Sequence, residues 1–279
     1  MADRTSVGEV EILSFIDMVP PPYDPEGFFP DVNRSQWQPY EADHLENGNL
    51  QLYYGCFALR SRGQTILVDT GMGPGPHPTR GNLTGSLVPL LREQGIGPED
   101  VNIVVHTHLH PDHVGWNVTY EGGKPKATFP KARYLVPRKD WSYFTQEDVL
   151  ASAAHVRDNV VPLQDLGAMD IIDEEHTITS EITTIPTPGH TPGHLNVLIA
   201  SAGEKGILVG DMLHSKVQVQ EPGWCSRADI DKATGQRSRE ETLERIEQEG
   251  MLVAAGHFKP DEHFGRVVRI QGRRYWQVL

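Results

Sequence analysis

Four histidines crowd into residues 106–113, where the chain reads His106-Thr107-His108-Leu109-His110-Pro111-Asp112-His113. An even spread of its 13 histidines over 279 residues would put fewer than one there. The cluster follows Val101–Val105, a short apolar run bounded by turn signals, which predicts a buried strand. Several imidazoles and a carboxylate thus meet at one strand-to-helix corner, and these are the natural ligands of zinc and similar divalent ions. A fold built around this corner must bring further ligands to it from elsewhere. Thr187-Pro188-Gly189-His190-Thr191-Pro192-Gly193-His194 offers two histidines in a turn stiffened by glycine and proline. Val209-Gly210-Asp211 and Ala254-Ala255-Gly256-His257 each end an apolar run with a ligand-type side chain, where α/β proteins commonly place functional groups. His44, His77, His155, His176 and His263 lack such a context and are expected at the surface.

Short strands are predicted at 51–60, 65–69, 133–136, 182–185, 195–200 and 206–209, and helices at 87–94, 147–158 and 239–250, an α/β pattern. Ile66-Leu67-Val68-Asp69 and Ile207-Leu208-Val209-Gly210-Asp211 both deliver an aspartate from an apolar strand, a faint internal echo. Residues 1–50 carry Pro20-Pro21-Pro22, Pro25 and Pro30 among the aromatics Tyr23, Phe28, Phe29, Trp37 and Tyr40. Proline forbids a long helix there, so an irregular arm is expected over a domain spanning 51–279. The arm reads first as a packing strap, with a substrate lid or a homodimer contact as the alternatives.

With 25 Lys+Arg against 38 Asp+Glu, the formal charge is −13, which speaks against nucleic acid or an anionic membrane as partner. No apolar run approaches the roughly 18 residues of a membrane span. Two cysteines and a start without the apolar core of a signal peptide predict a reducing, cytoplasmic setting.

Taken in order, His108-x-His110-x-Asp112-His113, His190, Asp211 and His257 resemble the metallo-β-lactamase-fold hydrolase superfamily, and the resemblance runs from about residue 50 to 270. It implies a four-layer αβ/βα sandwich of two facing mixed β-sheets, with two divalent ions, zinc first, at their edge. One ion would be held by His108, His110 and His190, the other by Asp112, His113 and His257, with Asp211 and a hydroxide between them. Paired ions depress the pKa of such a hydroxide toward neutrality, and Asp112 would accept or relay its proton. Asp69 matches a position that orients the ligand loop and His194 one that supports the site, while His106 is expected to pack or support.

Gly210–Val219, with His214 three residues after Asp211, resembles the branch holding quorum-quenching lactonases and methyl-parathion-hydrolase-like enzymes. Lactonases there usually carry tyrosine where His214 stands, so His214 is expected to donate to a substrate carbonyl. Trp116 and Phe258 are expected either to form an apolar pocket wall or simply to pack. Other branches fit less well. Flavodiiron enzymes carry glutamate in place of His110, true β-lactamases lack the acid at Asp211, and the nuclease branch needs a basic path. Glyoxalase II-type enzymes carry a C-terminal helical domain, for which little chain follows His257. The implied reaction is hydrolysis of a small, fairly apolar lactone or carboxylic ester. A phosphotriester or thioester substrate is the runner-up, and a metal-binding sensor or scaffold is the rival that needs no turnover.

Overall fold

The structure, a computed structural model, describes residues 3–279. Its first half holds β1 (Arg4–Val7), β2 (Val10–Met18), β3 (Tyr54–Ser61), β4 (Gln64–Val68), β5 (Ile103–Val105), the hairpin β6 (Val118–Glu121) and β7 (Lys124–Ala127), β8 (Arg133–Pro137) and β9 (Met169–Ile172). Without the hairpin, these form one seven-stranded sheet in the order β1-β2-β3-β4-β5-β8-β9. The second half holds β10 (Thr177–Thr179), β11 (Ile182–Pro186), β12 (Leu195–Ser201), β13 (Glu204–Leu208), β14 (Leu252–Ala254), β15 (Phe264–Ile270) and β16 (Arg273–Val278). They form the other sheet in simple sequence order. Both sheets are mixed: β4-β5-β8-β9 run parallel in the first, and β13-β14 in the second.

Strand alternation assigns the layers. On β4, Ile66 and Val68 point into the core shared by the two sheets, together with Val197, Ile199 and Leu208. Leu67 points the other way, onto Leu87 and Leu91 of the helix Leu87–Glu93. On the second sheet, Ile207 faces outward onto Leu243 and Ile246 of the helix Lys232–Glu249. Helix, sheet, sheet and helix therefore stack as the expected four-layer αβ/βα sandwich. Among the described residues no helix is long and apolar enough to cross a membrane. Cys56 and Cys225 are free and buried.

The structure departs from the sequence expectation in three places. Residues 4–18, expected within the irregular arm, form β1 and β2, and β2 pairs with β3 from Glu11↔Arg60 to Met18↔Tyr54. β2 is buried on both faces, so it lacks the alternation that marks a strand in sequence. The remaining arm carries three four-residue helices and packs Phe29, Trp37 and Leu50 against Val217 and Trp224. The helix expected at 239–250 starts earlier, at Lys232, where the Asp231 side chain accepts from Thr234 N at the N-cap. The helical stretch expected at 147–158 is two helices, Glu147–Ser152 and Ala154–Asn159, parted at Ala153.

The parallel pairs β4-β5 and β13-β14 matter most, because their carboxyl ends open at the same edge of the sandwich. Gly115 fixes how closely the chain after β5 sits on the turn after β4. Its N–H donates to Gly71 O at 2.8 Å, and a Cβ there would lie 2.0 Å from the Met72 carbonyl carbon. Gly115→Ala should therefore lower the unfolding free energy by about 2 kcal/mol or more in urea denaturation. A loss below about 0.5 kcal/mol would show that this contact has room to relax.

Candidate metal centre

The site is assembled at strand ends. Asp69, one residue beyond β4, adopts a left-handed φ of 61°, a strained conformation for a residue with a Cβ. Its carboxylate accepts from Thr107 N and Thr107 Oγ1, both at 2.8 Å, and stands 2.9 Å from His113 Nδ1. With Nδ1 donating to Asp69, His113 turns Nε2 toward Asp211 Oδ1, 3.0 Å away. A second carboxylate joins the loop at 106–113 to the turn at 187–194. Asp140 accepts from Leu109 N at 3.0 Å on one loop, and from Thr191 Oγ1 at 2.9 Å and Gly193 N at 2.6 Å on the other. Burial pushes the Asp140 pKa up to about 6 despite those three donors.

The turn 187–194 is oriented from several sides. His190 Nδ1 lies 2.7 Å from Asp229 Oδ1, and Asp229 also accepts from Ser226 N and Ser226 Oγ. Arg239, buried beside it, reaches Asp229 Oδ2 at 3.4 Å and donates to Met212 O and Pro222 O. Burial opposes the charge on Asp229, but His190, then His214 and Arg239, outweigh it and hold its pKa below the usual carboxylate range. His194 bonds Thr187 Oγ1 through Nδ1 and accepts from Asp211 N through Nε2, a supporting position. His257 Nδ1 donates to Tyr53 O at 2.8 Å.

These supports aim imidazoles at one buried carboxylate. Asp211 is ringed by Nε2 of His257 at 2.9 Å, His113 at 3.0 Å, His190 at 3.2 Å, His214 at 3.3 Å and His108 at 3.7 Å. Burial would raise the Asp211 pKa, yet the surrounding rings, His113 and His257 foremost, hold it well below the usual range. Burial also works against charge on His113, where Asp211, Asp69 and Asp112 prevail and raise the pKa well above normal. At His108 and His110 burial prevails, reinforced by neighbouring imidazoles, and both are held neutral with a lone pair to offer.

Two observations test whether divalent ions suit this centre. His110 Nδ1 and His190 Nε2 face each other at 2.8 Å, and His108 Nε2 and His113 Nε2 are buried without a hydrogen-bond partner. Ring nitrogens crowded together, two of them without a partner, are costly unless a cation lies between them. The donor atoms fall into two groups that could each hold an ion: His108, His110, His190 and Asp211, and Asp112, His113, Asp211 and His257. Asp211 belongs to both. All seven residues expected as ligands are brought together.

Several other expectations meet the structure differently. His106 is buried, with Nε2 at 2.9 Å from the Asn117 side-chain oxygen, and it stays outside both groups. Trp116 does not wall the pocket: it packs behind the first sheet and donates Nε1 to Asp17 Oδ1 at 2.8 Å. Phe258 packs edge-on to Trp276, and lines a small cavity of about 90 Å3 beside His214 and His257. His214 stacks on His257 and meets Phe28 edge-on, lining the main cavity above the centre. None of the five histidines assigned to the surface is exposed. His44, His77, His155 and His176 are half-buried, and His263 is enclosed against Phe57.

Sequence reasoning missed Asp140, Asp229 and Arg239. Asp229 lies 39 residues from His190 and Asp140 lies 31 from Leu109, so no local spacing announces them. The chain also matches known proteins. Residues 55–257 match the Metallo-beta-lactamase superfamily. A stretch of 175 residues is 26% identical to an N-acyl homoserine lactonase of a Bacillus species, covering 57% of this chain and 63% of that relative, less than two thirds of its length. Among solved structures, the fold superposes on hydrolase AbOPH of the beta lactamase superfamily with a TM-score of 0.85 at 23% identity, covering 100% of this chain and 97% of the other. It superposes on AidC, a dizinc quorum-quenching lactonase in complex with a product, with a TM-score of 0.83 at 22% identity and the same coverage.

The Asp229 contacts generate a stability prediction. Asp229→Ala strips the carboxylate from buried Arg239 and from His190 Nδ1, and should cost about 3 kcal/mol in denaturant unfolding. Asp229→Asn, which keeps the shape, should cost less. A loss under about 1 kcal/mol for the alanine variant would mean that Met212 O and Pro222 O alone satisfy the guanidinium.

Proposed function

The chain belongs to the metallo-beta-lactamase superfamily, and from that premise we propose that it is a metal-dependent hydrolase that opens a lactone or cleaves a related carboxylic ester. Two divalent ions, zinc first, would be held by His108, His110 and His190 and by Asp112, His113 and His257, with Asp211 serving both. The observation that carries the reading is that sharing: one buried carboxylate stands between two complete ligand groups. Bound together, such ions would polarise a scissile carbonyl and supply a nucleophilic hydroxide near neutral pH.

The chain's own groups have separable tasks. Asp112 lines the cavity, with Oδ2 3.8 Å from His113 Nε2 and 4.0 Å from His257 Nε2, and would take the proton that leaves water as the hydroxide forms. His214, its pKa lowered first by burial, remains a neutral ring at the cavity floor and donates to the carbonyl oxygen where charge develops. Asp69, Asp140 and Asp229 hold the ligand loops and imidazole tautomers, so that little reorganisation is needed during the reaction. The relative named an N-acyl homoserine lactonase and the dizinc lactonase of like fold support a lactone as substrate class and zinc as the metal.

Protein purified from metal-replete expression should contain about two divalent ions per chain. It should also hydrolyse lactones faster than p-nitrophenyl esters, thioesters or phosphotriesters of similar size. Asp211→Asn should cut turnover at least about 100-fold while far-UV circular dichroism is retained. Protein without bound metal, or full turnover in the Asp211→Asn variant, would overturn the reading.

A further inference from the structure

We propose that the cavity over the metal centre selects substrates bearing a second, anionic group, a carboxylate-carrying lactone or ester, and that Arg80 and Arg227 read that charge. The inference rests on the hydrolase reading above and names its substrate class. The cavity, about 180 Å3, has the ligand-type residues as its floor. Its walls include Tyr23, Phe28, Tyr54, Arg80 and Arg227.

Both guanidinia are mounted on one tyrosine pair. The Tyr23 and Tyr54 hydroxyls lie 2.8 Å apart, and Arg80 Nε donates to Tyr54 Oη at 2.9 Å. Arg227 lies over the other ring, 5.3 Å from the Tyr23 centroid and 5.9 Å from that of Phe28. Elsewhere the protein's arginines are largely spent on carboxylates: Arg60 on Glu11, Arg133 on Asp170, Arg239 on Asp229, Arg269 and Arg274 on Glu247. Among the described residues neither Arg80 nor Arg227 has such a partner. Arg80 uses Nε and Nη1, the latter to Thr79 O at 3.3 Å, and leaves Nη2 free. Arg227 engages only ring faces through its side chain. In a chain with 38 acidic against 25 basic residues, two cations without a salt-bridge partner in the cavity that also holds Asp112 and Asp211 are selective chemistry.

A guanidinium fork pairs with a carboxylate through two parallel N–H bonds, and stacking on aromatic faces holds it ready at little entropic cost. An alkyl chain in the same place would cover two charged groups and give them no partner. The fairly apolar substrate expected from sequence therefore suits these walls less well than an anionic one.

The test uses the zinc-loaded full chain and two esters alike in leaving group: 4-nitrophenyl butyrate, which is neutral, and mono-4-nitrophenyl glutarate, the same acyl chain ending in a carboxylate. The wild type should favour the glutarate ester about 10-fold in kcat/KM, mainly through KM. Arg80→Gln and Arg227→Gln should each lower that ratio about threefold or more, and the double variant should bring it near one. Raising salt from 50 to 500 mM should also shrink it. A wild-type ratio near one, or a ratio that ignores both substitutions, overturns the proposal and leaves the hydrolase reading standing. If neither ester is turned over, calorimetry on the zinc-loaded protein decides the anion site separately. Glutarate should bind tighter than butyrate, and the double variant should erase the difference; equal binding by the wild type overturns the proposal.

Discussion

The buried carboxylate of Asp211 and the imidazoles around it are the interaction on which the rest of the structure depends. An ionised carboxylate removed from water is expensive unless charge or donors compensate it. Here five Nε2 atoms stand between 2.9 and 3.7 Å from its oxygens, and its own N–H is held by His194. Imidazoles satisfy such a group only when their other nitrogens are fixed, which explains the outer ring of acceptors. Asp69 fixes His113, Asp229 fixes His190 and the Tyr53 carbonyl fixes His257.

That demand sets the architecture. The groups must arrive from separate strands at one point, which requires strands of both sheets to end at one edge. β4 and β5 do this in the first sheet and β13 and β14 in the second, each pair parallel. The echo between the aspartate-bearing strands at 66–69 and 207–211 thus has a structural counterpart: each is the strand where its sheet turns from antiparallel to parallel neighbours. The roles diverge at the tip. Asp69 lies one residue past its strand and orients, whereas Asp211 lies three past and stands at the centre.

What could be read from the sequence was what the chemistry keeps local. His108, His110, Asp112 and His113 lie within six residues, and Asp211 and His257 close apolar strands, so type and position both point to them. Contacts across long separations left no such trace. The Trp116 indole looked like a possible pocket wall because its partner, Asp17, lies 99 residues away and collects N–H groups from Met72, Leu87 and Trp116 together. Burial on both faces removed the period of β2, and His263 carries no sequence mark of its enclosure.

The proline-rich arm is where packing and site prove inseparable. A strap and a substrate-facing element looked like alternatives, yet one short segment both packs and lines the cavity. Trp37 packs on Trp224 at 4.7 Å, while Tyr23 and Phe28 line the cavity over Asp211. The segment beneath continues from Trp224 to Arg227, whose N–H donates to Phe28 O at 2.8 Å, and then to Asp229, which fixes His190. Six residues therefore anchor the arm, present a cation to the cavity and orient an imidazole toward the centre. A shift of the arm would move the guanidinium and its aromatic seat together, and would strain the turn that ends at Asp229. The cavity wall and the orientation of His190 are joined through this one stretch, so the arm meets the centre by packing as well as by position.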